Sequence, residues 1–106
     1  MYEKLKTVIE SYRDLEKRLS DPEIIANQKE FTRLAKEHSF QSDMARMATT
    51  YVSDSDNLAI NRDLLETESD PEMKEFIQGE IDELNGRLEE LEEEIKQMLV
   101  PTDPND

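Results

Sequence analysis

From residue 23 to residue 69 the chain runs for 47 residues without a glycine or a proline. Turns draw on those two residues for positive or fixed φ, so few structures other than long helix accommodate such a stretch. Asp21-Pro22-Glu23 and Asp70-Pro71-Glu72 bracket it, and Asp103-Pro104-Asn105 repeats the same device near the end. Each places a capping acid before a proline suited to the first helical turn, so each reads as the start of a new element. The whole chain of 106 residues holds only two glycines, Gly79 and Gly86, and no cysteine. Two glycines cannot build a phosphate-cradling loop or a dinucleotide fingerprint. Without cysteine there is no zinc ribbon, thiol catalyst or disulfide framework.

Apolar spacing defines the helices. Leu5, Val8, Tyr12, Leu15 and Leu19 follow at 3-4-3-4 intervals, which predicts a first helix over about residues 2–19 with a coiled-coil-like seam. From Ile77 through Ile81, Leu84, Leu88, Leu91 and Ile95 to Met98 the intervals run 4-3-4-3-4-3, predicting a helix over 71–99. Both glycines then fall on the side farthest from that seam, where each costs about 1 kcal/mol in propensity without touching the packing. The middle segment keeps the pattern through Phe31, Leu34, His38, Gln41 and Met44, then through Ala48, Tyr51, Ser55, Leu58, Arg62 and Leu65. Its one 3-3 step, Gln41 to Met44, is a stammer. The prediction is a helix over 28–68, irregular near residues 39–43, with cap-type residues at 53–56 that allow a break.

The expected fold class is all-α: an elongated antiparallel bundle or coiled-coil hairpin of three main helices, about 27, 60 and 43 Å long at 1.5 Å per residue. Helix one folds back along the start of helix two, and helix three along its second half. All three overlap only around residues 39–46, an arm rather than a pocket-bearing globule.

Leu, Ile, Val and Phe supply 24 of the 106 residues, little above the level at which a highly charged chain stays disordered. Order has to come from placement. The net charge of −14 is uneven: residues 1–40 hold eight basic and eight acidic side chains, residues 41–106 five and nineteen. So acidic a surface repels phosphate backbones and points to a protein or basic partner, not to direct nucleic-acid binding by the acidic hairpin. No stretch has the apolar length of a membrane span, and the Met1-Tyr2-Glu3-Lys4 start is charged, so a cytoplasmic location and no membrane partner are expected.

No residue is nominated as catalytic, cofactor-binding or metal-binding. His38 stands alone, without a second histidine to complete a zinc pair, and reads as structural. Asp54, Asp56 and Asn57 open like a calcium loop, but Ala59 stands where glycine is needed and Leu65 where the bidentate glutamate belongs. Glu89, Glu90, Glu92, Glu93 and Glu94 flank the seam residues Leu88, Leu91 and Ile95 and read as solvated helix surface. A coiled-coil surface offers no water-excluded cavity, so the chain is expected not to be an enzyme.

The ending Leu99-Val100-Pro101-Thr102-Asp103-Pro104-Asn105-Asp106, after an acidic heptad helix opening Asp70-Pro71-Glu72-Met73, resembles the N-terminal domain of bacterial class I peptide chain release factors. The tail, Pro101-x-Asp103-Pro104-Asn105-Asp106, points to type one, the readers of UAA and UAG. The stretch from Leu19-Ser20-Asp21-Pro22 to Asn27-Gln28-Lys29-Glu30-Phe31 also fits the passage between that domain's first two helices. The resemblance covers essentially the whole chain. It implies a helical N-terminal domain over 1–100 and, at 101–106, the start of a linker to codon-reading and catalytic domains absent here, since the chain has no Gly-Gly-Gln and no Pro-x-Thr motif. No family catalytic residue maps onto it. The resemblance further implies a non-catalytic arm that contacts the stalk base of the large ribosomal subunit, the class II release factor and the methyltransferase that modifies the catalytic glutamine of the missing domain.

A different class stays open beside it: a stand-alone acidic coiled-coil adaptor or chaperone-like protein. An acidic nucleic-acid mimic is opposed by the neutral charge of residues 1–40. Polar seam positions in the middle helix leave apolar edges that a second copy could cover, so self-association also stays open.

Overall fold

The computed structural model describes residues 1–99 and is all-α: α1 (Tyr2–Leu19), α2 (Pro22–Ala26), α3 (Gln28–Thr67) and α4 (Pro71–Leu99). Among the described residues there is no strand. The helix starts follow the sequence signals. The Asp21 carboxylate accepts from the backbone N–H of Glu23 at 3.0 Å, and that of Asp70 from the N–H of Glu72 at 3.2 Å, with proline at the first helical position in both. Asn27 opens α3 the same way, its Oδ1 accepting from the N–H of Glu30. Such a cap contributes about 1 kcal/mol by satisfying an amide that has no partner within its own helix.

Two compact units divide the chain, Met1–Thr49 and Thr50–Asp106. In the first, α1 runs antiparallel to the opening half of α3: Arg18 meets Glu30 while Tyr12 stacks on His38, so residue numbers fall on one helix as they rise on the other. Its buried residues are Leu5, Leu15, Leu34, Ala45 and Ala48. α2 buries nothing and serves as the connection. In the second unit, the closing half of α3 pairs with α4 around Leu58, Ile77, Ile81 and Leu84, with Leu65 and Leu88 packed against them. Each such aliphatic side chain, taken fully from water, contributes about 1.5–3 kcal/mol.

The three main helices stand as expected, and residues 22–26 add a short helix of their own. Details of α3 and α4 need correction. α3 ends at Thr67 rather than 68 and is unbroken, without the irregularity expected near 39–43 or the break allowed at 53–56. Polar side chains along α3 donate to the helix's own carbonyls, Ser42 Oγ to Ser39, Thr49 Oγ1 to Ala45 and Asn61 Nδ2 to Asn57. The 3-3 step dissolves as well: Ala45 is buried and Met44 only half-buried, which restores a 3-4 interval. Further on, Asn61 is half-buried while Arg62 is exposed, and on α4 the buried stripe ends at Ile95, leaving Met98 exposed. The linker expected at 101–106, with the Asp103-Pro104 signal, lies outside the described residues.

Candidate interaction surface

His38 sits on α3 with its ring stacked on Tyr12 of α1, centroids 4.3 Å apart and planes within 17°. Its Nε2 is buried without a hydrogen-bond partner, 3.8 Å from Glu16 Oε2. The geometry is that of a packing residue tying α1 to α3. Beside it Ile9, Tyr12, Arg13, Ala45, Arg46 and Thr49 line part of a hollow of about 230 Å³.

About two turns earlier on α3, Glu30 receives Arg33 Nε at 3.2 Å on Oε2 and Arg33 Nη2 on Oε1, with Arg18 3.9 Å off. The hydrogen bond from Arg33 holds the Glu30 carboxyl below the usual carboxylate range, partly offset by desolvation and reinforced by the positive charge of Arg33 and Arg18. The same pairing raises Arg33.

Asp54, set aside as the start of a failed calcium loop, is buried at 5% exposure in the α3–α4 unit. Its Oδ2 lies 3.3 Å from Arg87 Nη2, in ion-pair range but without hydrogen-bond alignment. This residue was missed as part of the packing; the only trace in the sequence is its place one turn before Leu58. Asp54, Asp56 and Asn57 are simply successive positions of α3, and Asn57 is exposed. Glu89, Glu90, Glu93 and Glu94 are exposed, whereas Glu92 is half-buried and pairs with Lys96 at 3.3 Å. Among the described residues no three His, Asp or Glu side chains cluster to hold a metal ion.

What the α3–α4 unit does display is apolar surface at its connection. Residues 68–70 form a tight turn in which Glu68 Oε1 accepts from the N–H groups of Ser69 and Asp70. Next to it Met73 and Phe76, the latter 64% exposed, line a shallow depression of about 330 Å³ with Asp70 and Glu72. Ile60 and Leu64, one turn apart on α3, are also more than half exposed. This arrangement suits contact with another macromolecule better than chemistry on a small one.

The family model of the PCRF domain matches residues 8–106. The chain belongs to the PCRF domain family. Curated relatives of this PCRF domain include "Peptide chain release factor 1" of Geobacter sulfurreducens, 44% identical over all 106 residues, which make up 29% of that protein. The proteins of the same name from Syntrophobacter fumaroxidans and Chloroherpeton thalassium are 42% and 40% identical, again over the whole of this chain and 30% of their own length. The chain thus spans about 30% of the length of the curated relatives it matches. No solved structure matches it. Among the described residues no helix is long and apolar enough to cross a membrane.

Proposed function

We propose that this chain is the helical N-terminal domain, over residues 1–100, of a type-one peptide chain release factor, a cytoplasmic protein that directs release of the nascent peptide at UAA and UAG. Within that protein it is a non-catalytic arm that contacts the ribosome at the large-subunit stalk base, and the class II release factor and glutamine methyltransferase are its further candidate partners. The observation that carries the reading is the match along the whole chain to relatives named peptide chain release factor 1. These 106 residues hold no Gly-Gly-Gln, which supports a non-catalytic role for them. A stand-alone adaptor or chaperone has no comparable support.

The test is a peptidyl-tRNA release assay on ribosomes stalled at UAA. This chain alone is expected to release nothing, and the same chain joined to the remaining length of its gene is expected to release peptide. Stop-codon-dependent release by the 106 residues alone would overturn the division of labour. A reading frame that closes after Asp106, or continues without Gly-Gly-Gln, would overturn the family role.

A further inference from the structure

The apolar side chains near the 68–70 turn share one face. On α3 the packed positions are Leu58, Asn61 and Leu65; on α4 they are Ile77, Ile81 and Leu84. Ile60 and Leu64 each stand one residue before a packed position of α3, and Phe76 one residue before Ile77. At 100° per residue, and with the two helices antiparallel, residues that precede the seam on either helix emerge on the same side of the pair. The Asp54–Arg87 ion pair fits this placement: Arg87 precedes the seam residue Leu88 and reaches across the helices to Asp54, one turn before Leu58. Met73, one turn before Ile77, leans the same way. Ile60, Leu64, Met73 and Phe76 therefore lie on one side of the pair as a strip of exposed apolar side chains at its turn end, with Met73 and Phe76 lining one depression.

The surrounding charge selects the occupant. Between residues 56 and 83 there are ten acidic side chains and two basic ones. A second copy would bring the same carboxylates against this rim, and nucleic acid or an anionic membrane would bring phosphates. What complements an apolar strip with an acidic border is an apolar stripe with basic flanks. The geometry points to this face as the docking site for a basic amphipathic helix of a partner protein, its apolar residues seated on Ile60, Leu64, Met73 and Phe76 and its Lys and Arg side chains against the bordering carboxylates. The strip supplies contact energy, and the border supplies encounter rate and orientation. The inference rests on the reading that this domain works through partners. Its failure is distinguishable from failure of that reading, because the release assay scores the whole factor and the experiment below scores the face.

The probe is a pair of synthetic 18-residue helices with one Leu/Phe stripe, flanked by Lys and Arg in one and by Glu in the other, titrated into the isotope-labelled chain at about 0.15 M salt. The basic helix is expected to shift the resonances of Ile60, Leu64, Met73 and Phe76 and to bind at least tenfold more tightly than the acidic one. Leu64→Ser with Phe76→Ser is expected to weaken it at least tenfold with helicity unchanged, since both side chains are exposed. Should that variant lose helicity, Glu80→Lys with Glu83→Lys keeps the strip and is expected to reverse the preference between the two helices. Equal binding of both helices, unchanged binding by these variants, or shifts elsewhere on the chain would overturn the proposal. So would a sedimenting dimer that Leu64→Ser with Phe76→Ser returns to monomer, which would assign the face to a second copy.

Discussion

The two units of this chain solve the same packing problem with opposite resources. Met1–Thr49 carries nine basic and nine acidic side chains, whereas Thr50–Asp106 carries four and eighteen. The balanced unit fastens its helices partly through polar and aromatic groups: Arg18 reaches Glu30 across helices, and His38 stacks on Tyr12. Ala45 and Ala48 are among its buried residues. The acidic unit relies on an aliphatic stripe, with Asp54–Arg87 as an ion pair between its helices. The difference teaches that net charge reports on the outside of such a domain and says little about its order. The glutamates of α4 lie around a regular apolar seam.

Cavity formation should have the largest effect and should fall equally on both units. Leu34 and Ile95 are fully buried, so Leu34→Ala and Ile95→Ala should each cost about 2–5 kcal/mol in urea denaturation. A much smaller loss for Leu34 would show that polar contacts carry the first unit. Next, removing Arg87 leaves Asp54 buried without its counter-charge. Arg87→Ala should destabilise by about 1–2 kcal/mol, reduced from the fully buried case because Arg87 is half exposed, while Asp54→Leu should be close to neutral. Gly79 and Gly86 have helical backbones and nothing within 4 Å of an added Cβ. Gly79→Ala and Gly86→Ala should each raise stability by about 0.5–1 kcal/mol, a gain that overpacking would abolish. Raising salt from about 0.01 to 0.15 M should protect amides of the second unit from hydrogen exchange more than those of the first, since repulsion is screened chiefly there. Equal responses would erase the electrostatic contrast.

The smallest effect concerns acid. Because the folded Glu30 carboxyl is held low by Arg33, its contribution is complete above the unfolded value, about pH 4, and is lost as pH falls through the lower folded value. Glu30→Gln should therefore remove a slight part of the acid dependence of thermal melting below about pH 4 and leave melting at pH 7 almost unchanged, because the pair is exposed.

Helix boundaries were legible because they depend on short-range chemistry: the Asp-Pro starts and the 3-4 spacing place α1, α3 and α4 to within a residue. α2 was legible as a start but not as a helix, since five residues hold too little periodicity to register. The phase of α3 was harder. A straight helix of 3.6 residues per turn drifts from a 3.5-residue repeat, so a template carried past Gln41 selects Met44 and Arg62 where the structure turns in Ala45 and Asn61. Alanine adds to the error, because a small side chain gives little hydropathy signal where helices approach most closely. The packing role of Asp54 was not legible because its partner is 33 residues away, and no local pattern announces a carboxylate that packs inward. The apolar strip at Ile60, Leu64, Met73 and Phe76 was invisible for the same reason: each residue is unremarkable alone, and only the antiparallel pairing joins them.

The turn at residues 68–70 also bears on how quickly the α3–α4 unit assembles. Only three residues separate the two helices, so the entropy lost in closing that loop is near its minimum. Glu68 and Asp70 already bind the amides of the turn and of the next helix start. Contacts spreading from that point join positions progressively farther apart in sequence, as in closing a zipper from its fixed end. A unit built this way has low contact order close to the turn and is expected to begin folding there, on the microsecond-to-millisecond scale typical of helical hairpins and bundles. The same end of the hairpin thus starts the folding and, once folded, presents the apolar strip.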